Sequence, residues 1–93
     1  MSSLAGFILS EDIGDIAMMI SEDWKRLGRL LLLPEPVLDN IDVDENIVSE
    51  KAKSMLTKWQ NVKGSSAAYK DLYNALCQVE RKDLAEKYCL KQG

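Results

Sequence analysis

Glu11 and Asp15 stand four residues apart, about one helical turn, and are the nearest the sequence comes to a paired-carboxylate site for acid–base chemistry. A solvated helix face accounts for two such acids equally simply. The chain contains no histidine. That removes His metal ligands, Ser–His and Cys–His dyads, and the commonest general base. Cys77 and Cys89 are the only cysteines, twelve positions apart on different predicted helices. This is not zinc-ligand spacing, and core packing is the expected role. No Gly-rich phosphate loop is present. The sequence therefore predicts no enzyme, no cofactor and no metal site.

What remains for chemistry is charge. The 93 residues carry a net charge of −3. Residues 1–50 hold eleven acids and three bases, a balance of −8, and residues 51–93 hold nine bases and four acids, a balance of +5. An acidic half and a basic half can meet head to tail in a second copy, or they are two solvated faces that happen to differ. Nucleic acid is not expected as a partner, because Lys51, Lys53, Lys58, Lys63 and Lys70 lack interleaved exposed aromatics. The longest uninterrupted aliphatic run, Leu30 to Leu33, is far short of a membrane span of roughly 18 residues. The first nine residues have neither a basic region nor a long apolar one, so no signal peptide is expected. Two thiols without a secretory signal read as reduced, and point to the cytoplasm or the cytoplasmic part of a receptor.

The elements that must position these charges are helices. Leu9, Ile13, Ile16, Ala17 and Ile20 form one apolar face, predicting a first helix over about 10–20, with Ser10 as a cap. A second helix over about 23–31 buries Trp24, Leu27 and Leu31, and Asp23 is its expected cap. Gly28 in its middle signals close packing or a weak helix. Pro34 and Pro36 start a short third helix over about 35–41, after which Asp42-Val43-Asp44-Glu45-Asn46 is expected as an acidic loop. Val48, Ala52, Met55, Leu56 and Trp59 predict a fourth helix over about 47–61, and Gly64 the turn that follows. Ala68, Leu72, Ala75, Leu76 and Val79 predict a fifth over about 66–79, capped by Ser65 or Ser66. Leu84, Ala85 and Tyr88 predict a sixth over about 82–90. Short connections make neighbours roughly antiparallel. The expectation is all-α: one six-helix bundle over 10–90, with 1–9 as an extension and 91–93 as a tail. Trp24 and Trp59 lie on apolar stripes and read as core rather than as ligand platforms.

These elements carry a specific resemblance. Asp23-Trp24-Lys25-Arg26-Leu27-Gly28-Arg29-Leu30-Leu31 resembles the second helix of death domains, and Leu38-Asp39-Asn40-Ile41 resembles the third. Met55-Leu56-Thr57-Lys58-Trp59 resembles the fourth, Gly64 with Ala68, Leu72, Ala75 and Leu76 the fifth, and Asp83-Leu84-Ala85 the opening of the sixth. Five weak motifs in the right order, over nearly the whole chain, make it similar to the death-domain branch of the death-fold superfamily. The second and third helices align without a gap to the death domain of the Fas-associated adaptor, and the fourth to sixth match ankyrin and netrin-receptor death domains. The caspase-recruitment and death-effector relatives generally lack the pattern of Trp24 and Trp59.

The resemblance implies a Greek-key helical bundle that binds other death domains, or its own kind, through asymmetric charged contacts in apoptotic or inflammatory signalling. It makes the corner of the second and third helices one patch, with candidates Lys25, Arg26, Arg29, Glu35 and Asp39. Arg29 matches a basic position the Fas-associated adaptor uses, and Glu35 and Asp39 match acidic positions nearby. Asp42, Asp44 and Glu45 form a second candidate patch with Lys51 and Lys58 as its complement, and Glu80, Arg81 and Lys82 a third. Ordinary solvated charge is the plain alternative for all of them, since surface ion pairs are worth under about 1 kcal/mol. Leu30 and Leu32 stand where the family often has polar residues. They are either exposed leucines of no consequence or apolar anchors in a contact. The competing function is a death domain that no longer assembles and serves as a structural or autoinhibitory part of a larger scaffold.

Overall fold

Six amphipathic stripes of this kind can bury their apolar faces only against one another, and the computed structural model arranges them so. It describes residues 10–63 and 69–89. Among these, the α-helices are α1 (Ser10–Ile20), α2 (Trp24–Leu30), α3 (Glu35–Asp44), α4 (Val48–Lys63), α5 (Tyr69–Gln78) and α6 (Lys82–Cys89). Helix α4 packs against α1, α2 and α3, while α5 packs on α6 and α2, and α1 closes on α6. The expected stripes supply the core: Ile16, Ile20, Leu27, Leu38, Met55, Leu56, Trp59, Leu72, Leu76 and Leu84 are almost fully buried. Trp24 is 5% exposed and Trp59 1%, so both are core residues. Met18 and Met19 fall off the stripe and are exposed.

Helix α1 has the bounds its spacing predicts. Helix α2 does not begin as expected. Asp23 makes no side-chain cap, because a 3₁₀ turn over Ser21–Asp23 leads straight into the helix and the Trp24 amide already bonds to the Ser21 carbonyl. A cap is useful only where first-turn amides lack partners. Helix α3 is longer than expected. Asp42, Val43 and Asp44 form its last turn, not a loop, and the Glu45 amide bonds back to Ile41 O at 3.0 Å. Acids at a helix C-terminus oppose the helix dipole, and here Lys25 and Lys51 offset that cost by binding Asp42.

Gly28 is where the bundle closes tightest. A Cβ there would sit 2.6 Å from Leu38 Cδ2 and 3.1 Å from Met55 Cγ, so the glycine lets α2 approach α3 and α4. Both α2 and α5 end in the same paired-carbonyl turn. The Leu33 amide bonds to Gly28 O at 3.0 Å and the Leu32 amide to Arg29 O at 2.9 Å, with Leu32 at φ 70°. In α5 the Arg81 amide bonds to Leu76 O at 2.8 Å and the Glu80 amide to Cys77 O at 3.0 Å, with Glu80 at φ 64°. Glycine usually takes this left-handed place. The expected turn at Gly64, the caps at Ser65 or Ser66, and the core positions Leu9 and Ala68 lie outside the described residues, as does Leu90. No described helix is long and apolar enough to cross a membrane.

Candidate protein-binding surface

The turn between α2 and α3 holds four of the five corner candidates on one surface. Arg29 donates to Glu35 through Nε (2.5 Å to Oε2) and Nη2 (3.4 Å to Oε1), with both side chains about half exposed. Lys25 Nζ lies 2.9 Å from Asp39 and 3.6 Å from Asp42. Asp42 is shared with Lys51, at 2.5 Å, so α2, α3 and α4 are stitched by one chain of charges. The hydrogen bond from Lys51 holds the Asp42 carboxyl below the usual range. Asp39 holds Lys25, and Glu35 holds Arg29, above their ordinary values. Arg26 points elsewhere: its guanidinium donates to Gln78 O at 3.1 Å, on the last residue of α5.

The other candidates separate. Arg81 donates to Met19 O at 2.7 Å and to both Asp83 oxygens at 3.2 Å, pinning the α5–α6 corner to the end of α1. The same contact keeps the Asp83 carboxyl below its usual range. Lys82 makes a loose pair with Glu86, 3.8 Å, one turn along α6. Asp44, Glu45 and Lys58 have no ion pair among the described residues. Asp44 and Lys58 face one groove between α3 and α4. The two acids that opened the sequence reading do not form a reaction centre either. Glu11 is exposed, and Asp15 accepts a long hydrogen bond from the Tyr88 hydroxyl, 3.4 Å, which ties α1 to α6. No cluster of three or more His, Cys, Asp or Glu suited to a metal occurs among the described residues.

Of the two leucines expected at the surface, Leu32 is 77% exposed, whereas Leu30 is half-buried against the core. Three features escaped the sequence reading. Leu32 is left-handed, and the hint to that was Pro34 two residues on, where helix stops often carry a proline. A cleft lies next to Leu32, walled by Leu30, Trp59, Lys63, Asp71 and Gln78, and the buried Trp59 indole N–H has no acceptor among the described residues. Asp12, an acid in the first turn of α1, is 3% exposed.

The described surface of this helical bundle, with its ion pairs, an exposed leucine and shallow grooves, suits contact with other proteins. The comparisons agree: the death-domain family model matches residues 10–89, and the chain belongs to that family. It is 32% identical over 79 residues to human THO complex subunit 1, covering 85% of this chain and 12% of that protein. It is 33% identical over 75 residues to mouse tumor necrosis factor receptor superfamily member 10B, covering 77% of this chain and 20% of that protein. The mouse THO complex subunit 1 matches at 32% over 79 residues. The chain thus spans a fifth or less of these relatives' lengths. No solved structure matches it. The family is one of interaction modules rather than enzymes.

Proposed function

We propose that this domain recruits the death domains of other proteins through the α2–α3 corner. The observation that carries the reading is Arg29, which donates to both carboxylate oxygens of Glu35 at the exposed edge of the corner, three residues before the exposed Leu32. Glu35 orients the guanidinium. An exposed pair of this kind is worth under about 1 kcal/mol, so a partner carboxylate can exchange with Glu35 at little cost. Lys25 and Asp39 flank the site with one charge of each sign and supply orientation. Leu32 supplies the apolar contact that charge alone does not. Apoptotic or inflammatory signalling, and a place in the cytoplasm or on the cytoplasmic side of a receptor, go with this reading.

The test is direct binding of purified death domains to the immobilised chain, at low and high salt, beside Arg29→Glu. The variant sets two carboxylates against each other at the corner. Affinity should fall about tenfold or more, roughly 1.4 kcal/mol, with the melting temperature nearly unchanged. Undiminished binding by a folded Arg29→Glu protein rejects the corner. The second reading, a non-assembling domain within a larger scaffold, is favoured by the likeness to THO complex subunit 1 and by how many surface charges are already paired within the chain. It predicts no death-domain binding at any salt concentration.

A further inference from the structure

The α3–α4 groove is a separate surface from the corner. It is open, about 580 Å³, and lined by Val37, Asn40 and Asp44 from α3 and by Lys58, Asn61 and Val62 from α4. The α3 residues recur at i, i+3 and i+7, and the α4 residues at i, i+3 and i+4, so each helix turns one continuous stripe toward the groove. The stripes match in kind: each has one valine, one asparagine and one charge, and the charges are opposite. Val62 is 72% exposed and Val37 half-buried. Asp44 and Lys58 line the same groove without an ion pair to each other or to any other described residue. Their neighbours Asp42 and Lys51 are, by contrast, bound together.

We propose that a second copy of this chain docks on this groove about a two-fold axis, with each Asp44 meeting the Lys58 of the other copy. In a two-fold interface residue i meets j, and j meets i. A patch with one unpaired acid and one unpaired base is self-complementary under that operation, and both charges find partners in a single docking event. The two asparagines supply a donor and an acceptor each for the same exchange, and the exposed Val62 side chains cover apolar surface from the opposing copy. The contact closes on itself, so it ends at two copies and does not propagate. It leaves the α2–α3 corner free, and it does not depend on the recruitment reading.

Sedimentation velocity of the whole chain over a wide concentration range, at low salt, tests this. The wild type should approach the mass of two copies and no more, and added salt should weaken the association. Asp44→Lys alone and Lys58→Glu alone should each stay monomeric, because each sets like charges together at both contacts. The two single variants mixed should form a dimer again, since both contacts are then of opposite charge. Arg29→Glu should dimerise as the wild type does, which separates this surface from the corner. Circular dichroism melts establish that every variant is folded. A wild type that is monomeric throughout, one that grows beyond two copies, single variants that still dimerise, or a mixture that stays monomeric would each overturn the proposal.

Discussion

Leu31, Leu32 and Leu33 follow the last residue of α2, and they should respond to substitution in opposite ways. Leu31 and Leu33 are 3% and 5% exposed, while Leu32 is 77% exposed and sits at φ 70°. A non-glycine residue in the left-handed region costs about 1–3 kcal/mol. Leu32→Gly removes that strain. Against this stand the greater freedom of glycine in the unfolded chain, about 0.4–1 kcal/mol, and the loss of the roughly one quarter of the side chain that is covered. If full burial of leucine is worth about 1.5–3 kcal/mol, that quarter is worth about 0.5 kcal/mol. The terms nearly cancel, so Leu32→Gly should lie within about 1 kcal/mol of the wild type. Leu32→Gln, which keeps a Cβ, should also be close to neutral. Leu32→Ile is chemically the mildest change, yet it should cost roughly 1 kcal/mol, because a β-branched residue tolerates positive φ worst. Leu31→Gly and Leu33→Gly should cost at least about 2–5 kcal/mol each through cavities.

Urea unfolding followed by tryptophan fluorescence reads these differences, since Trp24 and Trp59 are both core residues. In a domain of this size about 1 kcal/mol shifts the melting temperature by roughly 4–8 °C. The telling comparison is the order at position 32, with glycine at or above isoleucine. If isoleucine is neutral and glycine costs more than about 2 kcal/mol, Leu32 is neither strained nor exposed in solution, and the reasoning fails. The same variants separate the two roles of the leucine. A stable Leu32→Gly protein that binds death domains as the wild type does would remove the apolar anchor from the recruitment site.

Gly28→Ala should destabilise the domain by about 1–2 kcal/mol, even though alanine is the better helix former by roughly 0.5–1 kcal/mol, because the new methyl group meets Leu38 and Met55. The loss should shrink in a Leu38→Ala background, and a rise in stability would mean that α2 lies further from α3. Burial, with smaller contributions from Asp12 and Cys77, pushes the Cys89 thiol up to about 12, so the folded state holds it neutral. Native alkylation followed by mass spectrometry should therefore label the half-buried Cys77 and spare Cys89 until the chain unfolds. The sign for stability follows: above the ordinary thiol pKa of about 8.5 the unfolded chain ionises first, so this contribution is complete at neutral pH and falls as pH rises toward 12. Equal labelling of both thiols in the native state would contradict the burial of Cys89.

Helix faces were legible because burial follows spacing, and the stripe Ile13, Ile16, Ala17 and Ile20 lies in the core as its period requires. The errors share a cause. Asp23 looks like a cap only if the chain before it is non-helical, and the 3₁₀ turn removes that condition. The run from Asp42 to Asn46 looks like a loop only if Asp42 lacks a partner, and Lys25 and Lys51 supply one from other helices. Local rules see neither. The surface divides the same way. The residue types at the corner could be read from the sequence, but the turn of Arg26 to the Gln78 carbonyl and of Arg81 to the Met19 carbonyl could not, since each joins residues more than fifty positions apart. The left-handed Leu32 was invisible because its turn carries leucine where the local signal would be glycine.

The internal pairings also rank the candidate contacts. The acidic first half and basic second half suggested head-to-tail attraction between copies, yet part of that attraction is spent within the fold, where Asp42 meets Lys51 and the chain of charges extends to Lys25 and Asp39. A charge held this way is poorly placed to bind a partner, because recruiting it breaks contacts among three helices. Arg81 is the extreme case: it is about a quarter exposed and joins a helix end to a carboxylate, so Arg81→Ala frees the Met19 carbonyl and loosens the α5–α6 corner before it touches any interface. Arg29 differs because Glu35, its ion-pair partner among the described residues, is exposed and six residues away, so the pair can open without disturbing packing. Asp44 and Lys58 differ again, with no ion pair to another described residue to give up. Loss of partner binding without loss of stability is therefore expected at Arg29, Asp44 and Lys58, whereas changes at Arg81 and Asp42 should lower stability and binding together.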